Sequence, residues 1–325
     1  MDTAFFSASR IQCPGFSGQG SFTASNGHIG YNGTYTVDYA ANADTLWMET
    51  VLSTQSDAKI DKATARVFVR RTNDPMHVDS VFVSEADELR LGKQFDADLH
   101  ANASEYPLYT SDPSVGAYVQ NVFDKVSAAI PASEKPSYPF QKVLMIDNDS
   151  VVNAFAVPGG YIYVYTGLIR ALKNENELAA VLGHEISHVT HHHYRNQLAK
   201  QYGVQTLVSL LTGTNIQVAQ VSAGLAGLSF SRDDEYDADS TGTYLIGGSG
   251  YNSLGMATFL ERASTGISVT MFSTHPDNAD RVAKVKAQVN ASASLKALAY
   301  GSDGNPRTDD LQLVGTFSTL KAKFP

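Results

Sequence analysis

The stretch ELAAVLGHEISHVTHHH, residues 177–193, decides how this chain is read, because five histidines and a glutamate fall within its last thirteen positions. Leu178, Val181, Leu182 and Ile186 recur at helical spacing and predict one long helix over 174–202. On that helix His184 and His188 stand four apart, which places both imidazoles on one face, one turn from each other. Two rings so placed can bind one ion at roughly 2.0–2.1 Å. Glu185 between them is rotated by about 100° and can reach a metal-bound water without being a ligand.

The pattern needs a third ligand. An extended site of the form H-E-x-x-H-x-x-G-x-x-H requires Gly at 191 and His at 194, where the chain has His191 and Tyr194. His191, His192 and His193 are expected to continue the helix, with His192 able to share the face of His188, in a solvated or supporting role. SRDDEYDAD, residues 231–239, offers Glu235 and Asp239 four apart. On a helix, one carboxylate can complete the metal site while the other hydrogen-bonds a ligand histidine. The same acidic run reads equally as a solvated helix face.

Upstream, residues 14–83 alternate β-prone runs with Gly and Asn turns, predicting a small antiparallel domain over 1–83. At SEADELRLGKQFDADLHA the period becomes helical, with Ser84 as cap. The boundary is therefore expected near 83, with the rest of the chain, 84–325, forming a second domain. It contains a predicted helix over 115–130, strands over 141–147 and 161–167, and a short extended piece with a turn in NAFAVPGG (153–160). Further helices are expected over 253–264 and 276–290, and a strand over 311–317.

The net charge of −9 supplies no basic stripe to neutralise phosphates, so no nucleic-acid partner is expected. Cys13 is the single cysteine, which excludes an internal disulfide. Residues 201–231 carry no charge until Arg232, and are read as buried helices with a loop or as a flap making peripheral membrane contact.

Four segments, NAFAVPGGYIYVYTGL, ELAAVLGHEISHVTHHH, SRDDEYDADSTG and THPDNADRV, occur in this order and resemble the HtpX- and BepA-type zinc metallopeptidases, the family that also holds the CAAX prenyl endoproteases. With the SEADELRLGKQ helix, the resemblance covers about residues 84–290. It implies an α+β fold, in which a mainly helical zincin-type domain with a small sheet follows the β-rich N-terminal part. It further implies one zinc ion per chain on His184, His188 and Glu235, Glu185 as general base, and Asp239 bonded to a ligand.

The histidine-proline element falls at His275 and Pro276, and the arginine at Arg281. Locally, Thr274 with Asp277 reads equally as a cap and Asp277 with Arg281 as an i,i+4 ion pair. The resemblance implies a functional His275, as oxyanion donor or reversible fourth zinc ligand, and a substrate-facing Arg281. Asn153, Ala154 and Phe155 match a cleft-edge strand to which substrate backbone can add, although a core hairpin with a glycine turn accounts for the same residues.

No segment reads as membrane-spanning, so the extracytoplasmic branch, in the bacterial periplasm or envelope with any signal removed, is the nearer match. Little chain follows the last predicted helix, so no trailing helical-repeat domain is expected. The function expected is zinc-dependent endopeptidase action on unfolded or misassembled proteins, the alternative being a zinc-containing, chaperone-like binder that is latent as a protease. Oligomeric state and the role of 1–83 are not readable from the residues.

Overall fold

The computed structural model describes residues 17–25, 30–38, 45–54, 63–70, 85–194, 197–198, 221, 227–264, 274–275, 279–307 and 313–324. Cys13 and most of 201–231 lie outside the described residues. The chain divides into two compact units, one holding residues 1–84 and the other beginning at Glu85.

In the first unit, β1 (Ser17–Ser25), β2 (Gly30–Asp38), β3 (Thr45–Thr54) and β4 (Ala63–Arg70) form an antiparallel meander in sequence order. Gly20 pairs with Tyr35, Tyr35 with Thr50 and Thr50 with Ala65 across the four strands.

The second unit is mainly helical around a small mixed sheet. Helix α1 (Glu85–Ala101) buries Glu88, Leu91, Gly92, Phe95 and Leu99, a stripe at three- and four-residue intervals. Helix α2 (Pro113–Ser127) begins with Asp112, whose side chain accepts from the Ser114 N–H at 2.9 Å, and with Pro113 in the first turn, where no backbone donor is needed. It buries Val115, Val119, Val122, Phe123 and Val126.

β5 (Lys142–Ile146), β6 (Ala154–Val157) and β7 (Tyr161–Tyr165) follow, in the order β5-β7-β6. β5 runs parallel to β7 and β6 antiparallel to it, so β6 is an edge strand. The β6–β7 turn uses Gly159 and Gly160 at φ +77° and +81°, a conformation open to residues without a Cβ. Helix α1 lies on that turn through Gly92, where a Cβ would sit 1.9 Å from the Pro158 carbonyl oxygen.

After α3 (Thr166–Ala171), helix α4 (Glu175–Thr190) runs through the core with all sixteen residues buried. Its cap Asn174 accepts from the Glu177 N–H at 3.0 Å. Around it pack α2, β6, α5 (Arg232–Gly248) and α6 (Gly255–Ser264), while α7 (Ala279–Ala291) closes over α5 and α6. Helices α8 (Ala293–Ala299) and α9 (Phe317–Lys321) complete the unit.

Two expectations are corrected. The helix predicted to 202 ends at Thr190; His191 is its cap residue and His192 turns into the left-handed region at φ 57°. His192 consequently leaves the face of His188. The strand expected over 311–317 is absent among the described residues, since Phe317 begins a helix. The preceding N–H groups of Leu313, Val314 and Gly315 donate to the buried Glu175 carboxylate at 2.8, 2.9 and 3.3 Å. That carboxylate supplies the acceptors a neighbouring strand would have offered.

Candidate metal centre

Helices α4 and α5 approach at two glycines. A Cβ on Gly242 would lie 3.0 Å from the backbone of Gly183 and His184, and one on Gly183 would lie 3.2 Å from the Gly242 carbonyl oxygen. Bare backbone at the crossing lets side chains on the facing turns meet. His184 and His188 come from α4, Glu235 and Asp239 from one face of α5, His275 from the chain between α6 and α7, and Arg281 from the first turn of α7.

The polar atoms converge. His184 Nε2 is 3.0 Å from His188 Nε2 and 3.2 Å from His275 Nδ1. Glu235 Oε1 lies 2.9 Å from His275 Nδ1 and 3.6 Å from His188 Nε2, and its Oε2 is 3.5 Å from His184 Nε2. Arg281 clasps Asp239 through Nε at 2.7 Å and Nη2 at 2.8 Å, and sets Nη1 at 2.8 Å from Glu235 Oε2. Asp239 in turn accepts from His184 Nδ1 at 2.9 Å. His188 is held by Phe230 stacked on its ring at 3.9 Å between centroids and by His193 Nδ1 at 2.9 Å.

Burial and charge tune these groups. Burial pushes the Glu185 carboxyl above the usual range, with partial relief from His275 and His184. The His188 imidazole is held well below its ordinary value by burial, hence neutral and able to ligate. Burial opposes ionisation of Asp239, but the Arg281 guanidinium and its hydrogen bonds win and hold its pKa down. Burial likewise disfavours the charged form of His275, yet Glu235 and Glu185 raise its pKa. Carboxylates that favour a proton there favour a cation for the same Coulombic reason.

The donor set fits a metal ion. An ionised Asp239 only accepts, so His184 donates to it from Nδ1 and turns Nε2 toward the other donors. Ring nitrogens and a carboxylate facing one another at 3.0–3.6 Å in a dry interior repel without a cation. Those separations suit ligands about 2.0–2.1 Å from one small ion. His184, His188, Glu235 and His275 form such a four-group cluster, all buried.

Arg281 is only 1% exposed and is engaged by Asp239 and Glu235. Its guanidinium is thus turned onto these two carboxylates. Asn153, Ala154 and Phe155 lie on edge strand β6 and its entry, each nearly or fully buried. Tyr165 N–H donates to the Asn153 carbonyl, so by alternation the main-chain groups of Ala154 and Ala156 point away from β7. The Ala156 N–H faces Glu185, and the Ala154 N–H donates to Asn153 Oδ1 at 2.9 Å. Glu185 sits beside the cluster, its Oε1 3.5 Å from His275 Nε2.

Sequence reasoning did not find Gly183 and Gly242 as the contact that closes the site, nor the bond from His193 to His188. The triple histidine was visible, but its partner depends on the chain reversal at His192.

The chain is 29% identical over 233 residues to the beta-barrel assembly-enhancing protease of Yersinia pestis, an alignment spanning 62% of this chain and 47% of that protein. It is 30% identical over 194 residues to the protein of that name from Escherichia coli K12, spanning 55% and 38%. To the mitochondrial metalloendopeptidase OMA1 of Arabidopsis thaliana it is 33% identical over 152 residues, spanning 45% and 31%. The chain thus spans about half or less of the length of these curated relatives. Residues 113–289 match the model of peptidase family M48, which includes the metal cluster from α4 through His275 and the arginine of α7. With more than half of its length matched, the chain belongs to peptidase family M48.

Proposed function

We propose that this chain is a zinc-dependent endopeptidase that hydrolyses peptide bonds in unfolded or misassembled proteins, in an extracytoplasmic compartment. The observation that carries this reading is the placement of the buried Glu185 carboxylate between a His-His-Glu-His cluster and the outer edge of β6. We assign the chemistry to 84–325 and give 1–83 no catalytic part.

His184, His188 and Glu235 would hold the ion. When bound, it supplies Lewis acidity that acidifies water and polarises a carbonyl. Zinc is the ion of choice for two imidazoles and a carboxylate with one position left for chemistry. Glu185, its pKa raised by burial, takes the proton from the attacking water and returns it to the leaving amine. Arg281 and Asp239 fix Glu235 and His184, so that the ligands need no rearrangement as charge develops.

With their N–H groups turned to Asn153 and Glu185, Ala154 and Ala156 would offer their carbonyls to an extended substrate, and Phe155 shapes the strand that carries them. Strand addition reads backbone more than side chain, which suits unfolded protein. Asn153 at the start of this edge donates its amide to a substrate carbonyl. The relatives' name refers to β-barrel assembly, which is in keeping with misassembled envelope proteins as substrates.

His275, whose Nδ1 lies among the same donors, would take the remaining position of a bound ion and give it up to substrate. A binder that never cuts leaves the placement of Glu185 without a purpose. The test is cleavage of casein by wild type and Glu185→Gln at equal zinc content. Loss of cleavage with zinc retained is expected; equal cleavage by both overturns the assignment.

A further inference from the structure

Beyond the ligand helix, three consecutive histidines each meet a carboxylate. His192, the left-handed residue at which the chain reverses, has its Nδ1 2.9 Å from Glu88 Oε1 of α1. The reversal turns His191 and His193 toward each other, their rings 5.8 Å apart at 85°. Both then reach Asp237 on α5. His191 Nδ1 contacts Asp237 Oδ2, and His193 Nε2 is 3.1 Å from the same oxygen. Asp234 Oδ1 lies 4.0 Å from His193 Nε2, and Glu134 Oε2 lies 3.9 Å from His191 Nε2.

We propose that His191, His193 and Asp237 form a second divalent-cation site, for ions that favour imidazole such as zinc, and that filling it weakens the first site by reversing the tautomer of His193. The three side chains place one ligand atom each within 4.8 Å of the others. Two imidazoles with a carboxylate suit zinc, copper or nickel and not magnesium or calcium. The Asp237 side chain is 48% exposed, so water can complete the coordination, and the site opens outward where the first is sealed.

The coupling follows from one ring with two tasks, and this part rests on the zinc site proposed above. When His188 ligates through Nε2, its Nδ1 carries the proton and donates to His193 Nδ1 at 2.9 Å. The His193 proton then sits on Nε2 and is shared with Asp237. A cation at His193 Nε2 needs that lone pair, so the proton moves to Nδ1 and the ring stays neutral. Two N–H groups now face each other in a buried place. His188 loses the acceptor that fixes its tautomer, and loss of such support typically lowers metal affinity about 10- to 100-fold. By reciprocity, the first ion weakens the second by the same factor.

The experiment is calorimetric titration of zinc into the metal-free full chain, for wild type, His191→Ala, Asp237→Asn and His184→Ala, with folding checked by circular dichroism. Two equivalents in wild type are expected, with only the weaker lost in both His191→Ala and Asp237→Asn. A single equivalent in wild type, or a weaker site unchanged in both variants, overturns the second site. A stronger site that survives His184→Ala instead counts against the proposed zinc ligands and leaves the second site standing. The coupling is read from the rate at which the first ion exchanges with isotopically labelled zinc as free zinc is raised through the range that fills the second site. That rate should rise about 10- to 100-fold once the second site fills in wild type, and not in His191→Ala. An unchanged rate in wild type overturns the coupling.

Discussion

At the scale of single residues, the functional reading turns on His275 and on the tautomers of its neighbours. His275 Nδ1 lies with the ligand atoms, 3.2 Å from His184 Nε2 and 2.9 Å from Glu235 Oε1. If it occupies the position that substrate must take, His275→Ala frees that position. Turnover per bound zinc is then expected to rise while zinc affinity falls, measured as casein cleavage alongside chelator competition. A fall in turnover with affinity unchanged would assign His275 as an oxyanion donor instead. The i,i+4 pair His184 and His188 was legible because both belong to one helix, whose geometry is local. The role of His193 was not, because it depends on a backbone reversal at His192 that residue type does not announce.

At the scale of elements, the α4–α5 crossing places the carboxylates against the histidines. Gly242→Ala puts a methyl group 3.0 Å from rigid backbone of the neighbouring helix. The helices must separate, at about 1–3 kcal/mol, and zinc affinity should drop with stability; denaturant unfolding and zinc titration read the two. A second device ties the start of α2 to the C-terminal segment. Asp112 is brought to a pKa of about 2 from 3.8, first by its hydrogen bond with Lys323 and then by those from Ser114. A carboxylate whose folded pKa is depressed contributes stability that is present above the unfolded value and lost as pH falls through the folded one. Stability should therefore decline between about pH 4 and pH 2 with a steeper slope in wild type than in Asp112→Asn, as acid titration at fixed denaturant would show. The helical periodicity of α1, α2 and α4 made these elements readable. The end of α4 was misplaced because apolar pattern and propensity do not register the contacts that turn the chain.

At the scale of the second unit, Glu175 joins segments far apart in sequence. Fully buried at the start of α4, it accepts from Tyr251 at 2.9 Å, from Tyr118, and from three backbone N–H groups of 313–315. Glu175→Ala strands those donors, at about 3 kcal/mol or more in sum. The expected result is a lower unfolding midpoint together with faster proteolysis around residue 313. An unchanged midpoint would remove Glu175 from this role. Because five donors meet two oxygens, the segment before α9 needs no sheet, which is why its apolar alternation misled as a strand.

The sequence by itself determined the chemistry. H-E-x-x-H spacing places two imidazoles and a carboxylate on adjacent faces of one helix, and that relation survives any tertiary arrangement. Tertiary structure alone decided how the distant groups named from the sequence meet: the glycine crossing brings Glu235 against the histidines, His275 Nδ1 comes within 3.2 Å of His184 Nε2, and Arg281 turns inward onto Asp239. The physical reason is range. Helical spacing is set by backbone geometry within a few residues, whereas ligand convergence depends on how closely two helices pack and on which buried charges must be paired.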